Sequence, residues 1–321
     1  MGWGFEVLNL VIAFLLFSFS LFAKELQPSS IFHSTGYVNS FIVNGDQLYA
    51  GSNMGTVDIF DIKTQKIINQ ITLPPLLTAI NQLVPQNVIS IDYLNGKILI
   101  VSIGENSYRN VWIYEKYELK QIVDERKKLT IKKAMFINDE RILFGTFGSD
   151  IILHDTRENY NLYKSHVTQS TMGGIALNSD KSKMAMSYES GEIKVIDVMS
   201  SNVEHTYASQ NVDNVYDVAF NNGVIITAGQ DRRVAVYRDG QKDYHLKSHF
   251  LVYAVGLSPS GKTGAYASGE EQSIQLFDIQ TKALGDTLVA HKSRINQIWF
   301  KSEKEIFSVG SRNDIFYWKL D

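Results

Sequence analysis

The closest match to a chemical motif in this sequence is GLSPSGKT at residues 256–263. It fits the phosphate-loop pattern, in which a lysine and several backbone N–H groups hold the phosphates of a nucleotide. That site needs a helix directly after the loop, because the helix N-terminus supplies the N–H groups. The residues that follow, GAYASGEEQSIQLFD, have instead the pattern of a strand, a turn and a second strand. We therefore interpret residues 258–262 as a hairpin turn and predict that no nucleotide is bound.

The histidines are the next candidates for chemistry. His245 and His249 are four residues apart, which suits metal binding on a helix, but no third ligand stands beside them. We interpret both as exposed residues of a connecting loop. His291 is predicted to donate a hydrogen bond where a strand begins, and His154 to be explained by packing. The sequence identifies no partner for the other three, His33, His166 and His205.

Composition excludes several classes of function. The chain contains no cysteine, which excludes disulfides, thiolate metal sites and cysteine nucleophiles. The net charge of −3 gives no basic surface for nucleic acid. The nucleophile elbow G-x-S-x-G, the zinc motif H-E-x-x-H and the dinucleotide motif G-x-G-x-x-G are all missing. We predict no catalytic residue, no metal ligand and no cofactor site, and hence that the protein is not an enzyme.

One cluster of charges stands out. Residues 124–128 read DERKK, and Lys132 and Lys133 follow closely. The signs are mixed, and we interpret the cluster as a solvated outer strand at the edge between the second and third repeats described below. A docking patch is the alternative.

The elements that would position such residues are revealed by an internal repeat. Seven copies of one pattern occur, each with a strand of small residues, a tight turn and an alternating strand that ends in a bulky or charged residue. The last residues of the copies are Asp61, Glu115, Asp155, Asp197, Arg238, Asp278 and Lys319. Successive gaps are 54, 40, 42, 41, 40 and 41 residues. A period of about 40–45 residues is typical of propeller blades. The long first gap holds residues 73–86, an inserted connection.

Two columns of the repeat indicate a strand buried on one face. Four residues before each final residue stand Val57, Val111, Ile151, Ile193, Val234, Ile274 and Ile315. Two residues before it stand Ile59, Ile113, Leu153, Val195, Val236, Leu276 and Tyr317. Side chains two positions apart point to the same face of a strand, so both columns predict packing between neighbouring sheets.

The copies resemble WD40 repeats over about residues 30–321. The best is the last, where His291 lies nine residues before Phe300 and SVGSRNDIFYW ends in Trp318. The resemblance implies an all-β, seven-bladed propeller. It also implies closure by an N-terminal strand, here residues 29–34, because only three residues follow Trp318. The copies are degenerate: none keeps an intact Gly-His or Trp-Asp pair, and the turn aspartate survives only at Asp231. The family's buried polar tetrads are therefore expected to be mostly absent.

The N-terminus is set apart by composition. Residues 10–23 read LVIAFLLFSFSLFA, an apolar run of 14 residues that is short for a membrane span but suits a secretory signal. We predict a signal peptide over residues 1–23, a propeller domain over residues 24–321 and a periplasmic location. The segment before the run has no Lys or Arg, which a different true start or a retained membrane anchor would explain. A buried strand or helix of the fold is the remaining alternative.

A propeller without catalytic residues is expected to bind proteins. In layout the chain is similar to the NapL family of accessory proteins that are encoded with the periplasmic nitrate reductase of some bacteria. That resemblance implies support of reductase maturation or electron delivery, with reductase components as partners and no cofactor. The alternatives are an outer-membrane assembly scaffold and an enzyme acting in the central channel. For the enzyme, the polar residues expected near the axis are Asn39, Asn81, Asn211 and Asp213.

Overall fold

The computed structural model describes residues 23–78 and 80–320. Within them, seven sheets of four or five strands form the blades of a propeller. The innermost strands of blades one to seven are β3 (Val38–Asn44), β9 (Val88–Leu94), β13 (Ile131–Phe136), β17 (Met172–Leu177), β21 (Val215–Asn221), β25 (Val255–Leu257) and β29 (Ile295–Ser302). The second strands are β4 (Gln47–Ser52), β10 (Lys97–Ile103), β14 (Arg141–Thr146), β18 (Lys183–Tyr188), β22 (Val224–Gly229), β26 (Thr263–Ser268) and β30 (Glu305–Gly310).

The third and outer strands complete each blade. The third strands are β5 (Thr56–Asp61), β11 (Arg109–Glu115), β15 (Asp150–Asp155), β19 (Ile193–Asp197), β23 (Arg233–Arg238), β27 (Ser273–Asp278) and β31 (Asp314–Lys319). The outer strands of blades one to six are β6 (Lys66–Thr72), β12 (Glu118–Val123), β16 (Tyr160–His166), β20 (Val203–Tyr207), β24 (Tyr244–Lys247) and β28 (Leu284–Leu288). Two short 3₁₀ helices, η1 (Glu105–Ser107) and η2 (Glu125–Lys127), lie in loops.

The repeat predicted from sequence is confirmed strand by strand. Every third strand ends at the residue that closes its copy, from Asp61 to Lys319. The seven β-branched residues four positions earlier are all fully buried. Of the second column, Ile113 is half-buried and the other six are buried. Alternation along the third strand therefore places the predicted face in the core between neighbouring blades.

Side chains of the inner strands join each blade to the next. In several junctions, an oxygen on one inner strand accepts a hydrogen bond from a backbone N–H of the following blade, at distances of 2.7–3.4 Å. The acceptor and donor pairs are Ser40 with Ile91, Ser90 with Ala134, Asp92 with Phe136, Asp217 with Val255, and Gln297 with Phe41. These bonds link each inner strand to the next and fix the spacing of the blades around the axis.

Blades four and five approach each other differently. A Cβ atom added to Gly173 would lie 1.7 Å from the carbonyl oxygen of Val215, well inside contact distance. The hydroxyl of Ser187 also donates to that oxygen, at 3.1 Å. The absence of a side chain at Gly173 is thus what permits the two backbones to touch.

The N-terminal segment closes the ring, as predicted. Strand β2 (Ser30–His33) pairs antiparallel with β31 and serves as the outer strand of blade seven. Phe32 is fully buried there, with its ring 5.6 Å from that of Phe60. One feature was not predicted: β1 (Glu25–Leu26) pairs in parallel with β28 and adds a fifth strand to blade six.

The structure corrects the interpretation of the charge cluster. Residues 124–128 form the connection around η2 between blades two and three, not an outer strand. Lys132 and Lys133 lie on β13, the innermost strand of blade three. The outer strand of blade two is already complete at Val123, so the lysines fall in the next blade.

The inserted connection at residues 73–86 forms a small hairpin of β7 (Leu76–Leu77) and β8 (Leu83–Val84). Apart from Ala23, the predicted signal segment lies outside the described residues. In the described part of the chain, no helix is long and apolar enough to cross a membrane.

Candidate functional site

Among the loops of the described chain, exposed apolar side chains are concentrated at one end of the propeller. We define the front face as the loops from each outer strand to the next inner strand, together with those between second and third strands; the remaining loops form the back face. Of the exposed large apolar residues in the described chain, seven lie in front-face loops, two in back-face loops and seven on outer strands. The front-face residues are Tyr37, Met54, Leu77, Ile80, Leu83, Phe147 and Val212. Such a grouping is typical of a protein-binding surface.

The β7–β8 hairpin provides the most exposed part of this face. Ile80 and Leu83 are 73% and 68% exposed. The base of the hairpin is held by the buried Gln86, whose amide donates to the carbonyl of Pro74 at 2.7 Å. The carbonyl of the same side chain accepts from the hydroxyl of Ser102 at 2.8 Å. An apolar tip on a fixed base is suited to enter a pocket of a partner.

A second feature of the front face is an aromatic cluster beside the axis. The rings of Tyr216 and Tyr253 are stacked with centroids 5.2 Å apart, and Phe250 lies 6.5 Å from Tyr253. The guanidinium of Arg294 lies 5.2 Å from the Tyr253 ring, within range of a cation–π contact. The Tyr216 hydroxyl donates to Gln230 at 2.6 Å, and burial raises the pKa of Tyr216. Tyrosine and arginine dominate binding energy in many protein interfaces.

Phe147 forms a corresponding contact on blade three. The Lys132 ammonium lies 5.2 Å from its ring centroid, and the Arg109 guanidinium lies 5.7 Å away. Arg109 is itself held by its Nε, which donates to the carbonyl of Ile131 at 3.1 Å. The ring is therefore fixed while 38% of its surface stays exposed.

The central channel is the other candidate site. It has a volume of about 790 Å³ and is lined by the inner strands. Its charged groups are Asp92, Lys132, Lys133, Lys181 and Asp217. Burial raises the pKa of Asp92 and Asp217 and lowers that of Lys132, so desolvation shifts each group toward its neutral form.

The partners of these groups are mainly backbone atoms. The Lys133 ammonium donates to the carbonyl of Ile175 at 3.1 Å, and Lys132 donates to the carbonyls of Met172 and Gly173. Lys181 reaches back to the carbonyl of Phe136 at 2.7 Å. These lysines thus join blades three and four, much as Asp92 and Asp217 join other blades. Over residues 23–78 and 80–320, no group of three or more His, Asp or Glu side chains could hold a metal ion.

The residues proposed for the channel are brought together only in part. Asn39 lines the channel and donates to the carbonyl of Val88 at 2.8 Å. Asn81 lies at the turn of the inserted hairpin, and Asp213 lies in an exposed loop. Asn211 is buried and bonded to Thr227 at 2.7 Å. The prediction was wrong for these last three because the inner strands begin later than the sequence pattern suggested.

The phosphate-loop match is a hairpin, as predicted. Strand β25 leads into a turn and then into β26, with no helix in between. Gly261 has a φ of 72°, a conformation that glycine adopts without strain. The turn is fastened to blade seven, since the backbone N–H of Ser260 donates to Glu303 at 2.7 Å.

The two spaced histidines do not form a pair. His245 lies on β24, where its Nδ1 is 2.8 Å from the side-chain oxygen of Gln210, and burial lowers its pKa. It is half-buried in a strand, which corrects the prediction of an exposed loop residue. His249 is an exposed loop residue, as predicted.

His291 and His154 are structural. The Nε2 atom of His291 lies 2.6 Å from the Ser308 hydroxyl, and burial lowers the pKa of His291 to about 4. His154 packs on the ring of Phe144 at 5.8 Å, as predicted.

The remaining histidines have partners that the sequence did not identify. His33 contacts Asp314 at 2.7 Å, His166 contacts Asp150 at 2.9 Å, and His205 lies 4.1 Å from the ring of Tyr207.

Sequence reasoning missed the buried polar networks that take the place of the WD40 tetrads. In blade two, the Trp112 indole donates to Ser102 at 3.0 Å, and Ser102 and Asn110 both donate to Gln86. In blade five, Asn211 bridges Thr227 and Asp231.

Blade one has a further network, around the fully buried Asp58. Its carboxylate accepts from the hydroxyl of Ser34 and the amide of Gln70, both at 2.7 Å. Like the tetrads, these networks tie a front-face loop to the strands of its blade. The residue types of these networks differ from the family pattern. In the sequence, the networks are therefore indicated only by polar residues at the ends of strands.

A seven-bladed β-propeller of WD40-like architecture is therefore the class of protein that this chain represents. Among solved structures it is similar to the β-propeller domain of Cps50 (Swd1) from Myceliophteria thermophila, with a TM-score of 0.73 and 13% sequence identity. The match covers 92% of this chain and 99% of that one. No protein-family model and no curated protein matches the sequence. The similarity at this identity concerns the fold.

Proposed function

We propose that this protein is a non-catalytic interaction scaffold that docks a protein partner on its front face. The observation that carries the proposal is the uneven distribution of exposed apolar residues, with seven in front-face loops and two in back-face loops of the described chain. A rigid, preformed surface loses little conformational entropy on binding, which favours such a role.

The cellular location of the protein and the identity of its partner can be proposed more specifically. We propose that the chain is exported to the periplasm by its apolar N-terminal segment and supports the periplasmic nitrate reductase, in maturation or in electron delivery. The layout that resembles the NapL family supports this. The partners would be reductase components, and the protein would contribute no cofactor.

Affinity capture from a periplasmic extract tests both the docking on the front face and the identity of the partner. The bait is the wild-type protein, and the test variant carries Ile80→Asp and Leu83→Asp at the hairpin tip. The matched control carries Tyr117→Asp, since Tyr117 is 86% exposed in a back-face loop. We expect the hairpin variant to lose its partner and the control to retain it. Equal capture by all three proteins would contradict docking on the front face.

Reductase assays then test the finer proposal. Deletion of the gene should lower, without abolishing, nitrate reduction, because a helper changes the yield or the electron supply of an enzyme. Extracts supplied with reduced viologen report the yield of active reductase, and growth of the cells on nitrate also reports electron supply. Unchanged activity, with no reductase component captured, would leave only the general scaffold function.

A further inference from the structure

Residues 24–33 connect blade six to blade seven, and we call this segment the clasp. From Lys24 to Leu26 the chain runs parallel to β28 of blade six, and the backbone N–H of Thr287 donates to the carbonyl of Lys24 at 2.8 Å. The N–H of Val289 donates to the carbonyl of Leu26 at 3.0 Å. Leu26 also packs on the core between blades six and seven. The ladder on blade six thus begins at Lys24.

The clasp continues onto blade seven. The backbone N–H of Ser29 donates to the carbonyl of Tyr317 at 2.7 Å, and the Ser29 hydroxyl accepts from the N–H of Lys319 at 3.1 Å. Strand β2 then completes the blade. The ten residues 24–33 therefore join the last two blades.

That upstream end has a charged partner. The backbone nitrogen of Lys24 donates to the Asp286 carboxylate, with a distance of 2.9 Å between Lys24 N and Asp286 Oδ1. Asp286 is half-buried in the middle of β28, the outer strand of blade six. In an uncut chain this nitrogen is a neutral amide. Hydrolysis of the Ala23–Lys24 peptide bond by a signal peptidase consumes one water, leaves a carboxylate on Ala23 and turns the nitrogen into an ammonium group.

We infer that the α-ammonium of Lys24, produced by cleavage after Ala23, forms an ion pair with Asp286 that fastens the clasp on blade six. This inference rests on the proposed export. The geometry is already in place, since the nitrogen and carboxylate are within hydrogen-bond distance before any cut. Removal of the signal segment therefore adds a positive charge to the donor, so a hydrogen bond from a neutral amide to the carboxylate becomes an ion pair.

The pairing is tested on purified proteins with two N-termini, each with Asp286 or with Asp286→Asn. One pair begins at Lys24, released from a fusion partner without extra residues. The other begins with acetylated Ala23, which keeps the Lys24 nitrogen as an amide. The asparagine keeps an oxygen acceptor but removes the charge. We expect Asp286→Asn to lower the folding equilibrium constant about two- to fivefold when Lys24 is first, as for exposed ion pairs, and to have a smaller effect in the acetylated proteins, where only a hydrogen bond from a neutral amide is weakened.

A second readout is chemical. A protonated amine does not react with acylating reagents, and a neighbouring carboxylate favours protonation. At neutral pH the Lys24 α-amine should therefore be acylated several-fold more slowly beside Asp286 than beside asparagine, with lysine side chains elsewhere as an internal control. Equal effects of Asp286→Asn on both N-termini, together with equal acylation rates, would overturn the inference.

These results are independent of export itself. N-terminal sequencing of the protein from cells tests the cleavage site separately. An uncut chain in the cytoplasm would contradict the proposed export, while the measurements on the purified proteins would still decide whether Lys24 and Asp286 form the pair.

Discussion

His291 is a buried base whose proton uptake should appear in the stability of the whole ring. In the folded protein burial lowers its pKa to about 4. In the unfolded chain it titrates near the ordinary value of about 6.5. Above that pH both states are neutral and the full stability is present. Below it the unfolded state takes up a proton first, so stability falls as the pH drops toward 4.

We therefore expect the free energy of unfolding to fall between pH 6.5 and 4, with His291 contributing about 3 kcal/mol at most. Denaturant unfolding of His291→Asn across this range should give a flatter curve than wild type. His249→Asn, at an exposed position, is the matched control and should keep the wild-type slope. Equal slopes for wild type and His291→Asn would contradict the buried neutral imidazole.

Gly173 is a second residue at which a small change, the addition of one Cβ atom, should alter the stability of the protein. Its substitution by alanine would place Cβ 1.7 Å from the carbonyl oxygen of Val215, so blades four and five would have to separate. We expect a loss of about 3 kcal/mol or more, measured by denaturant unfolding, since overpacking of a rigid contact has costs of this order. Gly148→Ala is the control, because no atom lies within 4 Å of the added Cβ, and should change stability by less than about 0.5 kcal/mol.

At the scale of the element, strand β2 is short but closes the ring. Phe32 is fully buried between Phe60 and Phe307, whereas its neighbour Ile31 is 38% exposed. Phe32→Ala should cost about 3–5 kcal/mol, the usual range for a buried phenylalanine. Ile31→Ala on the same strand should cost much less. We expect Phe32→Ala to unfold in a single transition that is shifted as a whole. Comparable losses of stability in Phe32→Ala and Ile31→Ala would indicate that this strand does not close the ring.

At the scale of the whole molecule, charged side chains of the channel join adjacent inner strands directly. The channel charges bond to backbone groups of adjacent blades, and the described chain contains no cluster of metal-binding side chains. We expect prolonged dialysis against a chelator to leave the thermal midpoint unchanged. A lower midpoint that is restored by a divalent cation would favour the channel enzyme over the scaffold.

The sequence by itself determined the number of blades, their order and the core-facing column of each third strand. The reason is local, because the alternation along a strand and the period near 40 residues are properties of the sequence and do not depend on tertiary contacts. The closure of blade seven by residues 29–34 was also predicted, through the resemblance to WD40 repeats, and β2 pairs with β31 accordingly.

Only the tertiary structure decided which polar groups meet. The three lysines of the channel and the network of Gln86 with Trp112 depend on the packing of blades and loops, which sequence spacing does not predict. The bond from Lys24 to Asp286 joins residues 262 positions apart, and exists only because the closed ring brings blade six to the N-terminus. The front face is likewise a product of the fold, since its seven exposed apolar residues come from five separate loops that share one end of the propeller. Contacts of this kind depend on the ring as a whole, whereas the repeat depends only on each strand.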